Sequence, residues 1–255
     1  MDLAKAVILG IIEGITEFLP ISSTGHLILT ARALNIPTTE FLKSFEIAIQ
    51  LGAISSVIFL YWRSLLINLE IIKRLLAAFT PTVIIGFIFY KTVKKFLLGS
   101  VNVVLWSLFI GGALLVLFEL AYRERKGVTE ELSGISYRQS FLIGVFQSLA
   151  IVPGVSRAAA TIVGGLILGL KRKTIVEFSF LLAVPTMLAA TMLDLLKSAP
   201  AFGAQELIFI GTGFVTSFIV ALFSIKLLLY FIKNHNFIPF GIYRVILAAA
   251  FWAIF

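Results

Sequence analysis

The sequence predicts an all-α, polytopic membrane protein built as an inverted-topology repeat. Three observations carry that reading. First, 60% of the 255 residues are apolar and only 13% charged, against about 25% charged in ordinary globular proteins, and mean hydropathy is +1.06. Second, the apolar residues fall in continuous runs long enough to span a bilayer as helices, roughly 17–25 residues each. Third, two further apolar regions are broken at their centres by ionisable side chains, proline and glycine. A β-barrel is excluded, because its strands would alternate apolar and polar residues instead of running continuously apolar.

Taken in order, Leu3–Asn35 is the first broken region, interrupted by Glu13, Glu17, Pro20 and a Ser-Ser-Thr-Gly turn. Ile47–Trp62, Leu75–Tyr90 and Val101–Phe118 then read as spanning helices. Gln139–Leu170 is the second broken region, interrupted by Pro153-Gly154-Val155-Ser156-Arg157. Phe178–Leu193, Leu207–Ile225 and Phe237–Phe255, the last containing Arg244, complete the spans. Each half of a broken region is too short to cross alone. Backbone freed by proline and glycine is tolerated at membrane depth only where it is buried in protein or lines a cavity. Both regions are therefore expected to be re-entrant helical hairpins, giving about six spanning helices plus two such hairpins in one membrane domain, 1–255.

The two regions resemble each other. Gly10-Ile11-Ile12-Glu13 pairs with Gly144-Val145-Phe146-Gln147, Pro20-Ile21-Ser22-Ser23 with Pro153-Gly154-Val155-Ser156, and Phe45 with Phe178. A first repeat, 1–133, and a second, 134–255, follow. Each holds a hairpin and three spans, and an odd number of spans inverts the second repeat relative to the first, the plan that places a site between broken elements. Taking the first hairpin to enter from side A, side B carries Arg63, Lys73, Arg74, Arg123, Arg125, Lys126, Arg138, Lys171, Arg172, Lys173 and Lys233. Side A carries Lys5, Arg32, Lys43, Lys91, Lys94, Lys95 and Lys197. Positive residues favour the cytoplasm, so side B is expected inside, with both termini and the first hairpin on the outer side and the second hairpin on the cytoplasmic side. The net charge of +8 is assigned to topology and anionic headgroups, not to nucleic acid. No cleavable leader is predicted, given Asp2 and no small-residue cleavage site. The absence of cysteine excludes disulfides and thiolate chemistry.

Ionisable groups at membrane depth are expensive and default to function. Glu13 and Glu17 are four residues apart and share a helix face. Two carboxylates in a low dielectric need compensation, which a hard divalent cation, Mg²⁺ or Ca²⁺, supplies; exposed interfacial acids are the bland alternative. Glu46 and Gln50 repeat the spacing more weakly, with helix packing an equal explanation. Pro20 to His26 reads as a helix stop, a polar turn and a new start, where Ser22, Ser23 or Thr24 can cap and free N–H groups suit phosphate. A serine near a histidine also offers a nucleophile with a proton partner, although capping with an interfacial His26 fits the spacing equally. Arg157 presents a donor fork suited to phosphate, with Ser156 and Thr161 beside it; snorkelling is the alternative. His235 reads as a loop residue, Glu119, Glu177 and Asp194 as interfacial, and the many phenylalanines as lipid-facing or packing residues. A metal on two carboxylates, a hydroxyl-rich helix start and an arginine together suit phosphoryl transfer.

At these residues the chain resembles the bacterial undecaprenyl-diphosphate phosphatases of the bacitracin-resistance type, over its whole length. Glu13-Gly14-Ile15-Thr16-Glu17 matches the family's acidic motif, Phe18-Leu19-Pro20-Ile21-Ser22-Ser23-Thr24-Gly25-His26 matches the stretch that follows it, and Pro153 to Thr161 matches its Pro-Gly-x-Ser-Arg-Ser-Gly-x-Thr motif. That last match departs at Ala158 and Ala159, where the family usually has serine and glycine. The resemblance implies hydrolysis of undecaprenyl diphosphate to undecaprenyl phosphate and inorganic phosphate, recycling a cell-wall lipid carrier. It also implies a divalent ion on Glu13 and Glu17 and a diphosphate held by Ser22, Thr24, Gly25, Ser156, Arg157 and Thr161. Ser23 is the candidate nucleophile with His26 as its proton partner; a histidine nucleophile stays open. Expected partners are the polyprenyl diphosphate and the bilayer, with a homodimer left open. A phosphatidic-acid-phosphatase-type enzyme is disfavoured, because no histidine follows Ser156-Arg157 within the next helix. The rival from another class is a polyprenyl-phosphate transporter or flippase, which needs charge complementarity but no positioned Ser-His pair. A purely structural membrane protein would have little use for so many buried polar groups.

Overall fold

The computed structural model describes residues 1–96, 100–123, 129–197 and 202–254, without the side chains of 90–96 and 193–197. Lys91, Lys94, Lys95, Arg125, Lys126, Asp194, Lys197 and Phe255 therefore lie outside the described residues or side chains. Among the described residues the fold has ten α-helices: α1 Leu3–Thr16, α2 Ser23–Ala33, α3 Glu40–Leu66, α4 Leu69–Phe96, α5 Val101–Ala121, α6 Tyr137–Gln147, α7 Arg157–Ile167, α8 Arg172–Lys197, α9 Ala204–Phe231 and α10 Ile238–Ile254. Among the described residues the only β pairing is an isolated bridge between Thr129 and Leu170.

Five of these helices, in α3, α4, α5, α8 and α9, are long and apolar enough to cross a membrane, and α10 adds 17 apolar residues. The chain is a multi-pass helical membrane protein. The helices extend beyond the apolar runs because side-chain caps set their starts: Thr39 Oγ1 accepts from the Leu42 N–H at 3.1 Å, and Ser136 closes a reciprocal capping box with Gln139. Such caps satisfy donors that would otherwise be orphaned in a helix's first turn. Pro81 and Pro185 lie inside α4 and α8, and Tyr61 interrupts α3 with φ −119° and ψ 22°.

The short helices pair as expected. α1 turns back into α2 through 17–22, and α6 turns back into α7 through a 3-10 turn, Ser148–Ile151, and the segment 152–156. At about 1.5 Å per residue, the 14 residues of α1 and the 11 of α6 stop well short of a hydrocarbon core about 30 Å thick. Each hairpin leans on a helix from the other half of the chain: α1 packs on α9, and α6 on α4. Glycine makes these contacts close. A Cβ on Gly10 or Gly14 would stand 2.8 Å from the carbonyl of Gly213 or Ser217 respectively, and one on Gly144 would stand 1.8 Å from that of Ala78. Small residues at such crossings let backbones approach where lipid supplies no hydrophobic drive between helices. The first hairpin is also anchored by Phe18, which is fully buried and meets Phe180 of α8 edge-on at 5.3 Å.

At the ends of α5 and α8, Arg172 grips Glu119 through both guanidinium nitrogens, and the Glu119 side chain is only 2% exposed. The expected interfacial acid is thus a buried ion pair. His235 is an exposed loop residue, as expected. The outer helices turn phenylalanine and leucine outwards, with Phe87 86% exposed and Phe223 69%, as a lipid-facing surface requires.

Gly144→Ala is expected to destabilise the protein by about 1–3 kcal/mol, the usual range for overpacking. Gly211→Ala, which meets nothing within 4 Å, should be neutral or slightly stabilising. Thermal unfolding in detergent compares them; equal melting temperatures would remove the close α6–α4 contact from the account.

Candidate active site

The tips of the two hairpins face each other across a cavity of about 280 Å³. Glu17, Ser22, Ser23 and Thr24 line it from the first hairpin, and Ala150, Val152, Pro153, Gly154, Ser156 and Arg157 from the second. Gln50 of α3 and Met187 and Ala190 of α8 close the remaining wall. That volume approaches the roughly 300 Å³ at the small end of ligand pockets, enough for a diphosphate head and not for a long lipid chain.

Two serines shape both tips in the same way. Ser22 has φ 73° and ψ 93°, and Ser156 φ 72° and ψ 112°, a region that non-glycine residues occupy only under constraint and mostly at functional sites. Each serine Oγ then accepts from the backbone N–H three residues on, Gly25 at 3.3 Å and Ala159 at 3.2 Å. Both helix starts, α2 and α7, are thereby aimed at the cavity, and helix starts favour anions.

Between them lies Glu17, its side chain 5% exposed. The Ser23 hydroxyl donates to its Oε2, and Arg157 Nη2 donates to its Oε1 at 3.0 Å. Arg157 Nη1 donates to the Ser179 carbonyl of α8 at 2.9 Å. Ser179 Oγ and Thr161 Oγ1 stand 2.6 Å apart, so Thr161 braces the arginine from within the protein and lies off the cavity wall. Ser23, Glu17 and Arg157 form one continuous chain from the two hairpins.

His26 stands apart from it. Its Nδ1 is 2.7 Å from the Ser22 carbonyl oxygen, and its Nε2 is 2.8 Å from the Tyr243 hydroxyl of α10. A carbonyl only accepts, so Nδ1 carries a proton, and in the neutral ring Nε2 accepts from the tyrosine hydroxyl. The ring is buried and does not line the cavity. The Gly25 N–H is taken by Ser22, while Thr24 is exposed on the wall.

Glu13 is fully buried, and neither carboxylate oxygen has a hydrogen-bond partner. It lies beside Glu17 and within electrostatic reach of Glu46. Buried, unpaired carboxylate oxygens are costly, and hard oxygens in that state fit a hard divalent cation. Among the described residues no three His, Asp or Glu side chains converge to hold a metal, so such an ion would take further oxygens from hydroxyls, water or ligand. Ala158 and Ala159 do not line the cavity, and Ala158 packs in the main apolar cluster. A serine at 158 would face protein, not ligand.

Sequence reasoning brought Glu13, Glu17, Ser22, Ser23, Thr24, Ser156 and Arg157 to one place. It missed Ser179 and Tyr243. Ser179 contributes a carbonyl, which no residue type announces; Tyr243 precedes the only arginine in the last apolar run, the one cue available.

Comparison with known proteins gives a consistent result. The family described as bacitracin resistance protein BacA matches residues 6–250. An undecaprenyl-diphosphatase of Aquifex aeolicus is 53% identical over 251 residues, 98% of each chain. One from Sulfurihydrogenibium is 53% identical over 252 residues, 99% of each. One from Campylobacter jejuni is 48% identical over 256 residues, covering 100% of this chain and 95% of its own.

Removing one partner of a buried ion pair costs about 3–5 kcal/mol, because the other charge is stranded. Arg157→Met is therefore expected to lower stability by that amount, and Glu17→Gln with Arg157→Met to recover part of it. Chemical unfolding of the four proteins closes the cycle; additive losses would mean that the pair is not coupled.

Proposed function

The chain belongs to the bacitracin resistance protein BacA family, and we propose that it hydrolyses undecaprenyl diphosphate to undecaprenyl phosphate and inorganic phosphate at the cavity between its hairpins. The observation that carries this is the Ser23–Glu17–Arg157 chain, in which a hydroxyl, its proton acceptor and a phosphate-binding guanidinium meet across two hairpins. The relatives are named for hydrolysis, which leaves the transporter alternative without support.

Ser23 attacks the terminal phosphorus with its hydroxyl oxygen, and its proton passes to Glu17 Oε2. The bond to the bridging oxygen breaks and undecaprenyl phosphate leaves with that oxygen. Water then cleaves the phosphoserine, its oxygen going to phosphorus and one proton to the serine oxygen, which restores the Ser23 hydroxyl and releases inorganic phosphate, and Glu17 gives up the proton it took to solvent. Arg157 moves its donors from Glu17 to the phosphoryl oxygens, where charge builds in the transition state. Ser22 and Ser156 hold the two helix starts towards the diphosphate, and Thr24 borders it. His26, with both ring nitrogens engaged and its ring off the cavity wall, fits a supporting role for α2 better than that of nucleophile or proton partner. Glu13, together with Glu17, would hold Mg²⁺ or Ca²⁺, which supplies charge neutralisation for the diphosphate when bound.

The repeat organisation, 1–133 and 134–255, is part of this proposal. It is supported by the recurring order of hairpin and three helices and by the matched serine caps. The lysine and arginine distribution supports a plasma-membrane location with the cavity facing outwards. All the site residues come from one chain, so the site is complete without the homodimer that the family reading allows.

Detergent-purified protein is expected to release phosphate from a polyprenyl diphosphate, to lose that activity in EDTA and to regain it with Mg²⁺ or Ca²⁺. Full activity in chelator would defeat the metal role. Ser23→Ala and Glu17→Ala should each lower kcat by about 1000-fold or more. Near-normal turnover in Ser23→Ala would return the nucleophile's role to His26.

A further inference from the structure

Arg244 of α10 is 1% exposed, and among the described residues no carboxylate pairs with it. It does not line the cavity. Its guanidinium instead reaches three main-chain carbonyls: Gly154 at 3.0 Å and Ser107 at 3.0 Å from Nη2, and Pro20 at 3.5 Å from Nη1. The positive-φ serines set the structural register, Ser22 with Ser156, so Pro20 and Gly154 occupy the same place two residues before them, one residue off the sequence pairing of Pro20 with Pro153. These carbonyls lie in breaks between helices, where an unsatisfied acceptor at membrane depth costs several kcal/mol. One side chain thus fastens both tips, and ties them to α5 through Ser107. The lane for it is kept open by glycine: a Cβ on Gly111 would lie 2.2 Å from Arg244 Nη2, and one on Gly112 would lie 2.9 Å from Arg244 Cβ.

We infer that Arg244 is a positioning residue that holds the two hairpin tips in register, so that Ser23 on one and Arg157 on the other address the same diphosphate. Among the described residues the other polar link between the hairpins is Arg157 with Glu17, and that link must loosen when Arg157 turns to phosphate. Arg244 itself lies off the cavity wall and yields no donor to substrate, so its link persists through the reaction. The planar fork reaches its three acceptors from two separate nitrogens, whereas a lysine ammonium offers its donors from a single point and cannot span them in the same geometry. The inference rests on the hydrolase reading for its kinetic arm only.

The test uses Arg244→Lys and Arg244→Ala in the full-length protein. Arg244→Lys is expected to melt within a few degrees of wild type, yet to lose about 100-fold in kcat, the scale of a misplacement of about 1 Å, with KM changed much less. Methylguanidinium should restore part of the Arg244→Ala activity. Because the chain has no cysteine, spin labels can be placed at Thr24 and Ala150 on opposite sides of the cavity. Their distance distribution should be narrow with Arg244 and broad with lysine, whether or not the labelled protein turns over. Unchanged kcat in Arg244→Lys, failure of that variant to fold, or a label distribution insensitive to residue 244 would each overturn the inference. Wild-type protein that releases no phosphate while the label distribution still depends on residue 244 would instead defeat the hydrolase reading and leave the positioning role standing.

Discussion

A bilayer supplies no water to an exposed peptide group, and that one constraint explains most of this molecule. A hairpin that stops halfway across must find partners for every backbone donor and acceptor in its turn. Here a serine cap takes one donor after each turn, and Arg244 takes one carbonyl before it. What those side chains leave free at the two helix starts, they leave towards a cavity lined with hydroxyls, Glu17 and Arg157. The cost of breaking a helix in lipid is met by the same arrangement that makes an anion site.

The two halves use that arrangement unequally. Glu13 and Gln147, which the sequence pairs, differ in what they are given. Gln147 Nε2 donates to Thr82 and Thr186 at 2.9 and 3.1 Å, and only its Oε1 is left without a partner, whereas both Glu13 oxygens lack a donor. Within the second hairpin, the cation Arg157 complements the acid of the first. A pair of similar scaffolds thus yields a single polar centre with distinct sides, one rich in carboxylate and hydroxyl, the other in guanidinium.

Much of this was legible in the sequence, for physical reasons. Charged residues and proline inside apolar runs are so unfavourable in lipid that their positions point to broken elements, and Glu13, Glu17, Pro20, Pro153 and Arg157 marked both hairpins. Helix ends were less legible. The run Ile47–Trp62 became a helix over Glu40–Leu66, because capping by Thr39 extends a helix through residues that hydropathy does not count. Hidden entirely were contacts made by main-chain atoms, such as the Ser179 carbonyl on Arg157, and the environment of His26. A serine and a histidine three residues apart suggest a pair, yet the helix start at Ser23 turns the hydroxyl to Glu17 and the ring to α10. The burial of Glu119 was equally unreadable, since its partner Arg172 lies 53 residues away.

The glycine-lined contact between α1 and α9 has a consequence for biosynthesis. α1 ends at Thr16 and α9 begins at Ala204, so a ribosome adding roughly 5–20 residues per second leaves the first hairpin without its final neighbour for roughly 10–40 s. During that interval the face of α1 that carries Gly10 and Gly14, on a turn that also holds Glu13, lacks the helix against which it packs. A hairpin that emerges long before α9 thus settles only after it, and the insertion machinery must keep a short, acid-bearing element waiting at the membrane until α9 has been made.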